Sequence, residues 1–318
     1  MLLLILVLAI HCWVIEGHLA STNVLIGSKL YTMGGIIDSQ LDSNFFYYDF
    51  SIPFDASSPS YNSLDPIPVY TAWGSACVGG LTMSEIFLFG GIMNNKNDNS
   101  LSNNLIYCFD TINHTWTAPT ISGIQPLRRR EASSTFNPNN GWIYIFGGST
   151  VKINNYNDTL FFNDFIILDS VALSWINIKS PSNATAPTRR ASHTATLITN
   201  GYIVIIGGTE MTDDHALQDV DINQIWLYDT NSGMWMYQLG TQIQHAQCLL
   251  FINNIEMLSQ ITFIQFAEGD SVSARGGHTA VLAPNGNIII YGGSNVDNIG
   301  STPDLIILNV ATSRFQWL

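Results

Sequence analysis

Two neighbouring stretches of sequence decide the fold: RASHTATLITNGYIVIIGG at residues 190–208 and WLYDTNSGMW at residues 226–235. In the first, Arg190 and His193 precede a short apolar run that ends in a glycine pair. In the second, an apolar run ends at an aspartate, and Trp235 follows six positions later. Because both patterns recur along the chain, they predict an internal repeat.

The glycine pair occurs five times, each time behind a short apolar run. The pairs are Gly34 and Gly35, Gly90 and Gly91, Gly147 and Gly148, Gly207 and Gly208, and Gly292 and Gly293. The aspartate-to-tryptophan spacing occurs three times, in Asp110 with Trp116, Asp169 with Trp175, and Asp229 with Trp235. A constant offset to the glycine pair assigns the arginine position to Arg130, Arg190 and Arg275 and the histidine position to Ser133, His193 and His278.

The first and last units are degenerate copies of the pattern. In the first, Tyr61 takes the tryptophan position after Asp49. In the last, Asn309 replaces the aspartate, and either Phe315 or Trp317 fills the aromatic position.

The order of these features resembles the kelch repeat. That repeat has an arginine and a histidine, a β-run ending in two glycines, a second run ending near an aspartate, and then a tryptophan. The resemblance covers nearly the whole chain after Ala20. It implies an all-β, kelch-type β-propeller of four-stranded blades, with five repeats visible and a ring that is incomplete or unusually small. The predicted blades are residues 21–68, 69–122, 123–182, 183–240 and 270–318, within one domain at 21–318.

Composition agrees with a folded β protein and narrows its partners. Hydrophobic residues make up 46% of the 318 residues, enough for a substantial core. The 24 Asp and Glu residues outnumber the 11 Lys and Arg residues, giving a net charge of -13. A field of this sign repels phosphate backbones, so we expect no nucleic-acid partner.

The N-terminus predicts a secreted or cell-surface protein. Residues 1–15 are almost entirely apolar, so residues 1–20 are predicted to be a signal peptide, and no other stretch is apolar enough to span a membrane. Glycosylation sequons occur at three further positions, Asn113, Asn157 and Asn183. Removing a leader that holds Cys12 leaves three cysteines, Cys77, Cys108 and Cys248. Buried free thiols are favoured for Cys77 and Cys108 over a bridge between them.

The repeat is interrupted at residues 244–269, which match no repeat position. Three interpretations stay open for this segment: a functional insertion, a degenerate strand pair, or translated non-coding sequence. The chain also stops where the last strand of the fifth unit is expected to begin, which favours a truncated ring.

The long polar connections after strand 2, together with the connections from strand 4 to strand 1, are predicted to emerge on one face. Loops on a rigid scaffold are the usual location of recognition sites. We therefore expect a monomeric, non-catalytic module that binds a protein or glycan partner there. Its ligand-binding candidates are Arg128, Arg129 and Arg189, whose guanidinium groups suit an acidic peptide or an anionic glycan. Arg130, Arg190 and Arg275 are instead expected to be structural.

No cofactor, metal or catalytic residue is expected. Asp213, Asp214, Asp219 and Asp221 supply oxygen ligands, but their spacing does not follow the EF-hand pattern. The alternative function is a copper radical oxidase similar to galactose oxidase, whose propeller also has kelch-like repeats. Such an enzyme requires two copper-binding histidines, whereas only His114, His215 and His245 lie outside both the repeat pattern and the predicted leader.

Overall fold

The computed structural model describes residues 19–52, 60–151, 159–176, 186–237, 272–297, 300–311 and 315–318. The predicted leader up to residue 18, residues 244–269, Cys12, Cys248, Asn157 and Asn183 lie outside the described residues. The described part is all-β and contains no helix, which confirms the predicted fold class. It therefore also contains no helix able to cross a bilayer.

Five antiparallel four-stranded units, the blades, succeed one another along the chain. Blade 1 consists of β1 (Thr22–Ile26), β2 (Lys29–Ile37), β3 (Gln40–Asp49) and β4 (Asn62–Ser63). Blade 2 consists of β6 (Ser75–Gly79), β7 (Glu85–Phe89), β9 (Ile106–Asp110) and β10 (Thr115–Thr117). Blade 3 consists of β12 (Ser133–Asn137), β13 (Trp142–Phe146), β15 (Phe165–Asp169) and β16 (Ser174–Ile176). Blade 4 consists of β18 (Thr194–Leu197), β19 (Tyr202–Ile206), β22 (Trp226–Asp229) and β23 (Met234–Tyr237). Blade 5 consists of β24 (Thr279–Leu282), β25 (Ile288–Tyr291), β26 (Leu305–Asn309) and β27 (Gln316–Trp317).

Seven further short strands lie in the connections between these strands. They are β5 (Val69–Ala72), β8 (Ile92–Asn95), β11 (Arg129–Arg130), β14 (Ser149–Thr150), β17 (Arg190–Ala191), β20 (Thr209–Met211) and β21 (Leu217–Asp219). Of these, β5 and β8 extend the sheet of blade 1, because β5 pairs with the start of β3.

Most of the hydrophobic core lies between neighbouring blades. On β7, Ile86 and Leu88 pack against blade 1, whereas Phe87 and Phe89 pack against blade 3. Successive side chains of a strand point to opposite faces, so a strand covered on both sides needs an unbroken apolar run. This explains the apolar runs ahead of the glycine pairs. It also means that each blade is stabilised by its neighbours.

The aspartate of each repeat caps the turn from strand 3 to strand 4. The Asp169 carboxylate accepts the backbone N–H groups of Val171 and Ala172, at 3.0 and 2.7 Å. Asp110 and Asn309 make equivalent bonds in blades 2 and 5. The following strand then begins one residue before the tryptophan, and the tryptophan lies opposite the residue before the aspartate.

That register assigns the aromatic position of blade 5. Trp116, Trp175 and Trp235 pair with the residue just before the aspartate, and Trp317 pairs in the same way with Leu308. Trp317, and not Phe315, is therefore the equivalent residue.

The predicted register of blade 3 is wrong by one residue. Ala132, and not Ser133, packs on Gly148 in the way that His193 packs on Gly208. Likewise Arg129, and not Arg130, faces the second residue after the glycine pair, as Arg190 does. The physical reason is the turn between β12 and β13, which has one residue more than the turn between β18 and β19.

Cys77 and Cys108 are free thiols, as favoured from the sequence. Both pair with Phe87, on opposite sides of β7, so a strand separates them. Two strand spacings amount to about 9.6 Å, which exceeds the reach of a disulfide. Burial raises the pKa of each thiol to about 12, so both stay protonated.

Candidate functional site

The short strands bring two kinds of connection together on one face. Strands β5, β11 and β17 lie in strand 4 to strand 1 connections, and each pairs antiparallel with a strand of the next strand 2 to strand 3 connection. In blade 4 a further strand, β21, pairs with β20. We call these seven short strands the loop ladder and the side of the molecule that carries them the loop face.

Backbone contacts through the glycine pairs hold the loop ladder to the blades. The N–H of Gly148 donates to the carbonyl oxygen of Arg190 at 2.8 Å, and the N–H of Gly208 donates to that of Arg275 at 3.0 Å. A Cβ atom built at Gly147 lies 2.6 Å from the Arg190 oxygen, so only glycine fits there. We call each such contact between successive blades a joint.

The repeat arginines add side-chain hydrogen bonds to the joints. Nη1 of Arg190 donates to the Gly207 carbonyl oxygen at 3.2 Å, and Arg275 donates to that of Gly292 at 3.0 Å. Arg129 makes the equivalent 3.2 Å bond to Gly147 and adds an ion pair with Asp164 at 2.8 Å. All three arginine side chains are buried, so their guanidinium groups serve the scaffold rather than a ligand.

The repeat histidines link the starts of the first strands of neighbouring blades. Nε2 of His193 lies 2.7 Å from the Ser133 hydroxyl, and Nε2 of His278 lies 3.1 Å from the Thr194 hydroxyl. Burial, reinforced by Arg190, holds the pKa of His193 well below its ordinary value. Burial and Arg275 lower the pKa of His278 to about 3. Both imidazoles are therefore neutral at physiological pH.

A chain of backbone hydrogen bonds runs from blade to blade just before the first strand of each blade. The N–H of Trp73 donates to Ala20, that of Glu131 to Trp73, that of Ser192 to Glu131 and that of Gly277 to Ser192, at 2.9 to 3.0 Å. All five residues have a positive φ, between +54° and +67°. We call these five residues the inner rim. Because it follows directly on the loop ladder, the inner rim belongs to the loop face.

The described residues therefore combine antiparallel blades, glycine joints and repeat arginines in one regular arrangement. The sequence profile described as the KLHDC2/KLHL20/DRC7 Kelch-repeats domain matches residues 17–248. The chain belongs to this kelch-repeat family.

Curated relatives carry the same kind of name. Kelch domain-containing protein 3 of Bos taurus is 28% identical over 226 residues, which are 67% of this chain and 54% of that protein. The human protein of the same name is 27% identical over 226 residues. Kelch domain-containing protein 1 of Mus musculus is 25% identical over 210 residues, 64% of this chain and 41% of that protein. The kelch chain thus spans about half the length of the curated relatives that it matches.

The three candidate arginines of the kelch chain occupy different environments. Arg128 donates to the carbonyl oxygens of Ser102 and Asn104, at 2.8 and 2.6 Å, and thereby fixes the loop that precedes β9. Arg129 is the buried joint residue of blade 3. Arg189 is exposed, and the described part of the chain gives its guanidinium no hydrogen-bonding partner. Only Arg189 is therefore placed to meet a ligand as the sequence suggested.

The acidic loop 210–221 is not organised as a metal site. Asp219 accepts the backbone N–H of Val296 at 3.0 Å and so connects the loops of blades 4 and 5. Asp213 and Asp214 are exposed. Over the described ranges, no three His, Cys, Asp or Glu side chains converge closely enough to hold a metal ion.

Histidines outside the repeat lie on opposite faces. His114 is in the turn after β9, where its ring stacks on Phe109 at 6.1 Å, whereas His215 is in the loop ladder between β20 and β21. These two residues cannot share one metal ion. His245 lies outside the described residues.

Sequence reasoning missed the inner rim and the charge around it. Carboxylates dominate the exposed charged side chains in the strand 2 to strand 3 connections. They are Asp38, Asp98, Asp213, Asp214, Asp221, Asp297 and Asp304, against Lys96 as the one exposed cation in the described part of these connections. The inner rim has no common residue type and therefore leaves no repeat signal.

Proposed function

We propose that the protein is a non-catalytic scaffold that recognises a protein partner through its loop face. The observation that carries the proposal is the loop ladder, in which connections from successive blades are paired with one another and fixed by the joints. A rigid array of this kind presents several loops in constant relative positions, so a partner meets a preorganised surface. Exposed apolar side chains on the loop face, among them Leu101 and Leu217, supply contact area.

Photo-crosslinking tests the proposal. A benzoylphenylalanine residue replaces Leu101 or Leu217 on the loop face, or Leu81 or Val171 on the opposite face, since all four side chains are exposed. After irradiation in cells that express the full chain, we expect the same partner protein to be captured from both loop-face positions and from neither opposite-face position. Capture from the opposite face alone, or from no position, refutes the proposal.

An anionic glycan is the second candidate ligand, and Arg189 favours it. Its exposed guanidinium is free to pair with a sulfate or carboxylate, whereas Arg128 and Arg129 are engaged within the protein. Binding of a sulfated oligosaccharide that Arg189→Gln abolishes supports this candidate. The carboxylates of the loop face oppose it, so the protein partner is preferred.

Secretory targeting forms a separate part of the proposal. It rests on the apolar run at residues 1–15 and on the sequons, of which Asn113 is described and exposed. The Asn113 side-chain amide donates to Asp110, a bond that a glycan would replace. A glycosidase-sensitive mass in animal cells that decreases in Asn113→Gln supports secretion, and an unglycosylated full-length chain contradicts it.

A further inference from the structure

Glu131 is a half-buried carboxylate in the inner rim. Its backbone carbonyl oxygen accepts the N–H of Ser192, which belongs to the next blade, at 3.0 Å. Burial, the largest influence, raises the pKa of Glu131 above its ordinary value, whereas Arg130 and Ser192 lower it. A carboxylate removed from water is normally paired with a cation. No ion pair between described residues involves Glu131.

The neighbouring Arg130 does not fill this role. Its Nε donates to the Ser149 hydroxyl at 3.3 Å, and its guanidinium carbon lies 5.7 Å from the centre of the Trp73 ring. Arg130 therefore influences Glu131 through space without forming an ion pair with it. Its position beside Trp73 shows that a planar cation fits next to this indole ring.

Trp73 and Glu131 are adjacent members of the inner rim, joined by the backbone hydrogen bond from Glu131 to Trp73. The indole of Trp73 is half-buried, and so is Glu131. Aromatic faces attract cations, and guanidinium combines ring stacking with bidentate hydrogen bonding to a carboxylate. An ammonium group makes the charge contact but cannot stack in this way.

The surroundings favour a positively charged partner. The exposed charged side chains of the strand 2 to strand 3 connections are mostly carboxylates, and the whole chain has a net charge of -13. Such a field attracts basic ligands and repels acidic ones.

We propose that Glu131, Trp73 and Ser192 of the inner rim form a pocket for the guanidinium group of an arginine side chain on the partner protein. The inference rests on the proposed protein-binding function and adds the chemistry of one contact. The carboxylate of Glu131 pairs with the guanidinium, Trp73 stacks on it, and the Ser192 hydroxyl orients the carboxylate.

Small capped amino acids test the pocket directly. The probes are Nα-acetyl-arginine methylamide, its uncharged citrulline analogue and the lysine equivalent, titrated into the full chain at low salt and followed by ligand-observed NMR. We expect the arginine probe to bind at least tenfold more tightly than the citrulline probe and measurably more tightly than the lysine probe. Equal binding of arginine and citrulline overturns the proposal, and equal binding of arginine and lysine overturns the guanidinium assignment.

Two variants with opposite expected effects identify the residues. Glu131→Gln preserves shape and is expected to weaken the arginine probe at least tenfold, whereas Arg130→Gln removes a competing cation and is expected to tighten binding severalfold. The matched control is Asp297→Asn, an exposed carboxylate of the loop face outside the inner rim, with a change below twofold. Melting curves accompany each variant. If Glu131→Gln does not fold, the Arg130→Gln result decides, and weaker binding in that variant refutes the pocket.

The outcome is separable from that of the crosslinking experiment. Loop-face capture with no arginine-probe binding refutes the pocket and leaves the scaffold function standing. Probe binding without loop-face capture refutes the scaffold function alone.

Discussion

Replacing Gly207 by alanine is expected to destabilise the protein far more than replacing Gly277. Both glycines have a left-handed backbone, with φ of +60° and +67°, so alanine incurs a similar conformational cost of about 1 kcal/mol at each. Their surroundings differ. A Cβ at Gly207 lies 2.7 Å from the Arg275 carbonyl oxygen and 2.9 Å from Cε1 of His278, whereas no described atom lies within 4 Å of a Cβ at Gly277.

The overlap at Gly207 cannot be relieved by one side chain. The Arg275 oxygen accepts the N–H of Gly208 in the joint, and the His278 ring is bonded to Thr194 of the preceding blade. Separating the two blades costs about 1–3 kcal/mol in strain and about 1 kcal/mol in the weakened hydrogen bond. With the conformational cost, the expected loss is about 3–5 kcal/mol for Gly207→Ala and about 1 kcal/mol for Gly277→Ala.

Urea unfolding followed by tryptophan fluorescence measures both free energies of unfolding. The two variants share the same chemical change and nearly the same φ, so their difference isolates the joint. Equal losses for the two alanine variants would refute the assignment of Gly207 to a contact between blades.

Three further predictions concern other parts of the repeat. Trp235→Ala removes a ring that lies 5.0 to 5.2 Å from the rings of Phe146, Phe165 and Tyr228, and is expected to cost about 3–5 kcal/mol by calorimetry. Arg129→Met breaks a buried guanidinium contact and is expected to cost about 3 kcal/mol in urea unfolding, whereas Arg130→Met is expected to cost less than about 1 kcal/mol. Because the pKa of His278 falls to about 3 from an unfolded value near 6.5, stability is complete above pH 6.5 and is lost as the pH falls from 6.5 to 3. Between pH 6.5 and pH 3, titration of His278 changes the folding equilibrium constant of the parent by roughly tenfold per pH unit. His278→Gln is expected to remove this part of the pH dependence of stability.

Each of these has a clear contrary result. An unchanged melting temperature for Trp235→Ala contradicts its place among the rings between blades 3 and 4. A larger loss of unfolding free energy for Arg130→Met than for Arg129→Met would instead support the register predicted from the sequence. A pH profile of His278→Gln that parallels the parent shows that this histidine does not titrate on unfolding.

Spacing was sufficient to predict the blades because each repeated residue performs the same local task. Asp169 caps a turn, Gly147 fits against a carbonyl oxygen, and Trp175 lies opposite Leu168 in the adjacent strand. These tasks require particular residue types, so they leave a pattern that can be counted along the chain. Because the tryptophan position is repeated in this way, the sequence predicted either Phe315 or Trp317 as the aromatic residue of blade 5. The pairing of Trp317 with Leu308 in the structure was needed to exclude Phe315.

The failures have equally physical causes. Arg129 and Arg130 are adjacent arginines, and a single extra residue in the following turn made the wrong one fit the constant spacing. The inner rim was missed for the opposite reason. Its requirement is a backbone conformation and a hydrogen bond, which Trp73, Glu131 and Ser192 all satisfy with different side chains.

The inner rim separates what a residue does for the architecture from what it offers to solvent. Its backbone links consecutive blades in the same way at Trp73, Glu131, Ser192 and Gly277, so an indole, an acid, a hydroxyl and a bare hydrogen are interchangeable there. Substitution at these positions can therefore alter ligand preference with little effect on folding. Proteins that share this scaffold can therefore differ quickly in ligand specificity. A designed change of ligand needs substitutions at only a few adjacent positions.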